Sequence, residues 1–461
     1  MGSMTMKKLT LVASAISCAL ALSLAPAASA KISQADADKL GNSLTPLGGE
    51  KAGNADGSIP AWDPIVKPPA GYKPGDHHPD PFPGDKVLFT IDKGNLDQYK
   101  SFLGAGQLKM FEVYPDSFKM NVYQTRRTAS YPDYIKEATK KNSVTAELVE
   151  GGNGIRGTAQ GIPFPMPKTG LEAIWNHMLR YRGVNAKRWG GQAAPMANGS
   201  YTIVGFDDKI LLKYSAEDAT PETLSKENIL FKFKQKVTVP ARLAGTALLV
   251  HETMDQVATP RQAWTYNTGQ RRVRRAPNVA YDAPGTASDG LRTTDDFDMF
   301  NGSPNRYNWE LKGKKEIYIP YNSYKLHSDS LKYSDILMAG HINPEHVRWE
   351  KHRVWVVEAT LKDGVRHIYG KRTFYIDEDS WQIHLTDMYD NRGELFRHGV
   401  AYGMNYYDIL THWSTLEVYH DFNSRRYLAM GLDNEEEMYN FNQKFTDKDF
   451  TPAALRREGR R

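Results

Sequence analysis

Apolar and polar positions alternate most clearly between His346 and Tyr406. His346–Lys362 carries Trp349, Val354, Val356 and Val357, and Val365–Ile376, Trp381–Tyr389 and Glu394–Tyr406 follow it. Between them lie Asp363-Gly364, Asp377-Glu378-Asp379-Ser380 and Asp390-Asn391-Arg392-Gly393, all turn-forming runs. The pattern predicts four long antiparallel strands, and Asp363-Gly364 predicts a two-residue hairpin because both residues tolerate positive φ. Phe118–Gln124 alternates Phe118, Met120 and Val122 against Lys119, Asn121 and Tyr123, which predicts a half-buried strand. Further strands are expected at Lys86–Ile91, Val144–Val149, Tyr201–Gly205, Lys209–Tyr214, Ile229–Val239, Ala244–Glu252, Gln262–Thr268, Gln270–Ala276, Lys314–Tyr321 and Asp421–Met430. Helices are expected at Asn95–Leu103, Pro132–Lys141 and Gly170–Arg182; on the last, Leu171, Ile174, Trp175, Met178 and Leu179 form one apolar face. Strands spaced this closely, with few helices, predict an α+β fold built on a large curved antiparallel β-sheet, a half-open barrel. Charges fall on both faces of most strands, which excludes an outer-membrane barrel.

The first thirty residues stand apart from this pattern. Met6-Lys7-Lys8, the apolar run Leu9–Leu24 and the small residues Ala28-Ser29-Ala30 read as a signal peptide cleaved after Ala30, so export to the periplasm is expected. Cys18, the only cysteine, falls inside that run, which leaves 31–461 without disulfides, thiolate metal sites or a cysteine nucleophile. The formal net charge is +5, two of the lysines lie in the signal, and no basic profile for nucleic acid remains. No later stretch is apolar enough to predict a membrane-spanning helix. Residues 31–85 are rich in Gly, Pro, Asp and Asn, and the spaced Ile59, Trp62, Ile65 and Tyr72 predict a long N-terminal arm lying on a single β domain, 86–461.

Candidate chemistry is sparse. The chain has no nucleophile elbow, phosphate loop, H-E-x-x-H motif or dinucleotide fingerprint. His341 and His346 are separated by Pro344, which blocks a helical metal pair, and His77-His78-Pro79-Asp80 sits in the arm. Asp295-Asp296-Phe297-Asp298 with Asn301-Gly302 offers oxygen ligands, but Phe300 stands where a calcium loop needs another, so a turn-rich connection is the plainer reading. No catalytic residue, metal or cofactor is expected. Arg271, Arg272, Arg274 and Arg275 put four guanidinium forks on one strand, on both its faces. They suit the acidic head group of an amphiphile, or ion pairing with Asp289, Asp295, Asp296 or Glu310. Phe231, Phe233, Trp264, Tyr266, Trp355, Phe374 and Trp381 either fill the sheet's interior or line an apolar ligand cavity.

Thr373–Gly393 (TFYIDEDSWQIHLTDMYDNRG) resembles the strand–Asp–turn–strand–Asp–Gly pattern of the lipoprotein-carrier (LolA/LolB-like) fold, a curved half-barrel closed by helices over an apolar cavity. Leu44–Trp62, Gly269–Pro284, Asp295–Asn322 and His346–Gly364 are together similar to a proteobacterial periplasmic family of unknown function, described as outer-membrane-lipoprotein-sorting-like. The resemblance implies a carrier for a lipid or other hydrophobic small molecule, acting with an RND-type inner-membrane exporter and an outer-membrane-associated protein. The alternatives are a structural adaptor between such partners, and a hydrolase whose site is assembled from distant residues.

Overall fold

Two β-meanders, distant in sequence, join edge to edge in one fifteen-stranded sheet. The computed structural model describes residues 31–459 except 277, 278 and 280; the predicted signal segment, 1–30, lies outside them. A short ribbon, β1 (Phe89–Ile91) and β2 (Met120–Val122), precedes the meanders. The first wing is β3 (Asn185–Ala193), β4 (Val204–Leu211), β5 (Phe231–Val239), β6 (Ala247–Glu252), β7 (Gln262–Asn267) and β8 (Arg272–Arg275). The second is β9 (Tyr307–Pro320), β10 (Trp349–Leu361), β11 (Lys371–Asp377), β12 (Ile383–Tyr389), β13 (Leu395–Tyr406), β14 (Thr411–Asp421) and β15 (Arg426–Leu432). Within each wing sequential strands pair antiparallel, and β15 closes onto β3 through Ala429↔Ala193 and Met430↔Gln192. The sheet is curved and not closed: β8 and β9 are the outer edges of the two wings, and the β1–β2 ribbon, with β1 as a further edge, touches β10 in parallel at Val122↔Trp349.

This topology has a consequence for the interior. The connection from β8 to β9 must travel from one edge of the sheet to the other, and it does so across one sheet face. Along the way Gln192 of β3 donates to Thr286 O and Ala287 O, Arg426 of β15 pairs with Asp289, Arg397 of β13 donates to Gly290 O, and Tyr419 of β14 donates to Asp296 O. The same face is covered by helix α3 (Gly170–Leu179); α1 (Ala105–Val113) lies on the opposite face, α2 (Asp133–Thr145) falls between them in sequence, and α4 (Pro452–Gly459) packs on β6–β8. Two apolar clusters result: Trp175, Phe300, Phe374, Trp381 and Trp413 on the first face, Trp349, Val354, Leu385, Val400 and Tyr427 on the other.

Several expectations change in detail. The β10–β11 connection is not a two-residue hairpin: Gly364 turns with φ +75°, but β11 starts only at Lys371. The intervening chain carries His367 inward to Asp295, and burial of that pair displaces the tight turn. The segments expected as two strands, Tyr201–Gly205 and Lys209–Tyr214, are the single strand β4. Helix α3 is buried almost all round, including Glu172, Asn176 and His177, and not along one face. It approaches β9 so closely that a Cβ at Gly170 would lie 2.9 Å from Glu310 N, which only glycine permits. The expected helix Asn95–Leu103 is a short α turn, Leu96–Tyr99, continued as a 3-10 turn. The arm lies on the body: Leu47 and Ile59 are buried, Trp62 Nε1 donates to Ala129 O, and Tyr72 donates to Asp408. No helix of the described residues is long and apolar enough to cross a membrane.

Candidate functional site

Where a carrier-like half-barrel would hold its ligand, this chain places charge. The crossing segment forms a 3-10 turn, Thr294–Met299, in which Asp298 and Met299 adopt left-handed backbone (φ +55° and +67°). That turn sends three buried carboxylates into the sheet. Asp295 takes Arg372 at 2.6 Å and His367 at 3.1 Å, and Asp296 accepts from Tyr369 OH at 2.8 Å. Asp298 takes Arg180 Nη2 at 2.5 Å, Arg182 Nη1, and Trp413 Nε1 at 3.2 Å. Burial alone would raise Asp298, but the Arg180 and Arg182 guanidiniums hold it well below the usual carboxylate range; Asp295 is depressed in the same way by Arg372. Beside this cluster, Glu417 accepts from Ser414 Oγ (3.1 Å) and Tyr419 OH (2.8 Å), and burial together with the Asp298 charge pushes it up to about 7. Arg188 pairs with Asp208 at 2.9 Å and lies 5.5 Å from the Trp413 ring. The void left among Arg188, Asp208, Trp413, Glu417 and Tyr439 is about 40 Å³, room for a water or two and not for an acyl chain. Arginines thus meet the aspartates that the sequence offered as calcium ligands.

The larger cavity, about 640 Å³ and open on one side, lies at the end of the first wing where β3 stops and β4 starts. Val204, Val237 and Leu243 form an apolar cluster in its wall, with Ala193, Met196 and Tyr201 beside them. Gln192 and Arg426 tie its floor to the crossing segment through Thr286, Ala287 and Asp289. Arg242, on the β5–β6 turn, is exposed and makes no ion pair among the described residues. The volume falls in the roughly 300–1,000 Å³ range of small-molecule sites. Sequence reading assigned β5 but missed this site. The one available signal was Val239-Pro240-Ala241-Arg242-Leu243, an apolar turn with a single cation.

The residues singled out in sequence are not brought together. Phe231, Phe233, Phe374 and Trp381 are buried in the core of the crossing-segment face, where Trp355 stacks on Trp381 at 6.3 Å. Tyr266 and Trp264 belong to a separate cluster under α4, with Leu455 and Phe450. None of the seven lines the 640 Å³ cavity. Arg272, Arg274 and Arg275 are exposed on edge strand β8, Arg271 on the turn before it, and none has a carboxylate in ion-pair reach among the described residues. The partners suggested by sequence are taken elsewhere: Asp289 by Arg426, Asp295 and Asp296 by Arg372, Glu310 by Lys312. Register places the β7–β8 turn at the same end of the sheet as the β5–β6 turn, with Gly245 against Thr268, so Arg271, Arg272 and Arg242 share one rim.

One Ser–His contact is present. Ser117 Oγ lies 2.9 Å from His341 Nε2, while His341 Nδ1 is held by the Ile342 carbonyl at 2.8 Å. Among the described residues no carboxylate backs the imidazole, and the cavities described above do not include either residue.

Fold and site together define an α+β protein with a wide antiparallel sheet, a charged packed interior and one open side cleft. The chain belongs to the family described as protein of unknown function (DUF1329), whose model matches residues 90–456. It is 55% identical over 443 residues to an uncharacterized protein of Pseudomonas aeruginosa (PA3922), covering 95% of this chain and 97% of that one. Among solved structures it is similar to a Vibrio parahaemolyticus domain assigned to outer membrane lipoprotein sorting (15% identity, TM-score 0.42, covering 62% of this chain and 98% of that one). It is also similar to a DUF1329 family protein of Desulfovibrio piger (12% identity, TM-score 0.41, 59% and 92%).

Proposed function

We propose that the protein is a periplasmic binding and transfer protein for a lipid or other hydrophobic amphiphile, and that its ligand occupies the side cleft, not the centre of the sheet. The observation that carries this reading is the 640 Å³ cleft itself, apolar at Val204, Val237 and Leu243 and bordered by the unpaired Arg242. An acyl chain entering it would gain roughly 0.8 kcal/mol per buried CH₂. Its acidic head would meet Arg242, with Arg271 and Arg272 on the same rim and Arg274 and Arg275 further along β8. No bond need be made or broken. The signal-like first thirty residues support the periplasmic location. Exchange with an RND-type exporter and an outer-membrane-associated protein is part of the same proposal, supported by the sequence resemblance. Mass spectrometry of ligands extracted from protein purified from its own host tests the reading. A stoichiometric acyl compound, displaced by Leu243→Trp, is expected; background lipid alone, with no binding on titration with a fatty acid, would overturn it.

A hydrolase reading rests on the Ser117–His341 contact, and ester hydrolysis that disappears in Ser117→Ala would establish it. An adaptor would show a broad exposed apolar patch. The exposed large apolar side chains are scattered, Val87 and Leu88 being the adjacent pair among the described residues.

A further inference from the structure

Two buried acceptor atoms face each other beside the Asp377–Ser380 turn. Glu350 accepts from Arg348 Nε (2.5 Å) and Asn322 Nδ2 (3.0 Å) on one oxygen and from Arg126 N (2.7 Å) on the other, so it is ionised. His352 Nε2, 3.2 Å from Glu350 Oε2, is therefore the nitrogen that carries the proton. The other ring nitrogen, Nδ1, then presents a lone pair 3.9 Å from Asp377 Oδ1. Asp377 Oδ2 is satisfied by Ser380 N (2.9 Å) and Ser380 Oγ (2.5 Å), whereas Oδ1 accepts from no described residue. The surrounding carboxylates each have a cation: Glu350 has Arg348, Glu378 has Arg353 and Lys314, and Asp379 has Arg127. Asp377 has no arginine or lysine in ion-pair reach among the described residues, although it is fully buried. Two lone pairs and an uncompensated charge, aimed at one point in the buried interior, call for a positive charge between them.

We propose that His352, Asp377 and Asp379 bind a divalent transition-metal cation of the zinc or manganese class. The ligand atoms of the three residues already lie within 4.8 Å of one another. Bonds of about 2.0–2.2 Å require them to draw in by about an ångström. One imidazole and two carboxylates suit such a cation. Glu350 supplies the carboxylate that usually orients a metal-binding histidine through its other nitrogen. Asp379 keeps Arg127, because a carboxylate has about four lone-pair directions and that guanidinium uses two. The ion would sit under the arm, where Gly49 abuts Asp379 and Glu50 N donates to Glu378, so its role would be to pin the arm to the sheet.

The test strips the full-length chain with a chelator and titrates it with Zn²⁺ by calorimetry and with Co²⁺ by visible absorption. One saturable equivalent is expected, absent in Asp377→Asn, about 10–100-fold weaker in Glu350→Gln, and unchanged in Asp387→Asn, a matched buried carboxylate facing His398. No saturable binding, or binding that survives Asp377→Asn, overturns the proposal and leaves a protonated His352 as the partner of Asp377. Should Asp377→Asn fail to fold by circular dichroism, anomalous scattering from Zn²⁺-soaked wild-type crystals decides. A peak between His352 Nδ1 and Asp377 Oδ1 supports the site, and a peak only elsewhere refutes it.

Discussion

The two ends of the crossing segment's path treat the same sheet in opposite ways. Over β11–β14 the chain packs Asp295, Asp296 and Asp298 against Arg372, Arg180 and Arg182, and where this cover meets β3, β4 and β15 it leaves about 40 Å³. At the β3–β4 end of the first wing it touches the sheet through Thr286–Asp289 and leaves an open cleft of about 640 Å³. The difference is one of cover. Where a covering segment is held by buried ion pairs, removing it would strand charges in a low dielectric, so that region is built to stay shut. Where the cover is thin and the wall is made of Val204, Val237 and Leu243, opening and occupation cost little.

The sharpest way to break the comparison is to unpair the interior. Asp298→Ala leaves Arg180 and Arg182 buried without their anion and should cost about 3–5 kcal/mol in urea unfolding. Substituting all three by apolar residues of similar volume should cost far less, because no charge is left stranded. Trp381→Ala should also cost about 3–5 kcal/mol, since Trp381 is fully buried and its Nε1 donates to Leu47 O of the arm.

A pH effect comes next. Glu417 titrates at about 7 in the folded protein, above its ordinary value, so the folded state binds its proton more tightly than the unfolded chain. The stability this contributes is fully present below about pH 4.5 and is lost as pH rises through 7, at up to about 1.4 kcal/mol per unit. Glu417→Gln should remove this contribution and flatten the decline between pH 5 and 7 in denaturant titrations.

In the cleft the balance of effects reverses. Leu243→Trp should change stability by about 1 kcal/mol or less and yet abolish ligand loading, measured by titration with a fluorescent fatty acid. The smallest effect belongs to the rim: Arg271→Ala with Arg272→Ala should leave stability within about 0.5 kcal/mol while weakening binding of an acidic amphiphile relative to a neutral one.

Legibility in the sequence followed turn chemistry and local alternation. Strands set off by turn-forming runs or clear alternation were readable: β5, β7, β10, β12 and β13 fall close to their expected places, and β11 starts six residues later than expected. Strand β14 (THWSTLEVYHD) was not: all its positions are buried, and Thr411, Ser414, Thr415 and Glu417 take up hydrogen bonds inside the protein, which blurs the alternation. Strand β3 was hidden by Gly190-Gly191 and by Arg188, whose charge meets Asp208 on the neighbouring strand. The arginine run at 271–275 was visible as chemistry, but its freedom from carboxylates was not, since Asp289, Asp295 and Asp296 are taken by arginines far along the chain and Glu310 by the nearby Lys312.

By itself, the sequence determined the class of fold, the turns at Asp377–Ser380 and Asp390–Gly393, and the family. Those follow from local periodicity and from turn chemistry that acts within a few residues. Only the tertiary structure decided that the sheet's interior is closed and its open space lies to one side. That outcome depends on the β15–β3 pairing, which puts β8 and β9 at opposite edges and forces the segment between them to cross the sheet. No local pattern encodes which face a long connection will cover, because the ion pairs that hold it form between residues brought together only by the completed sheet.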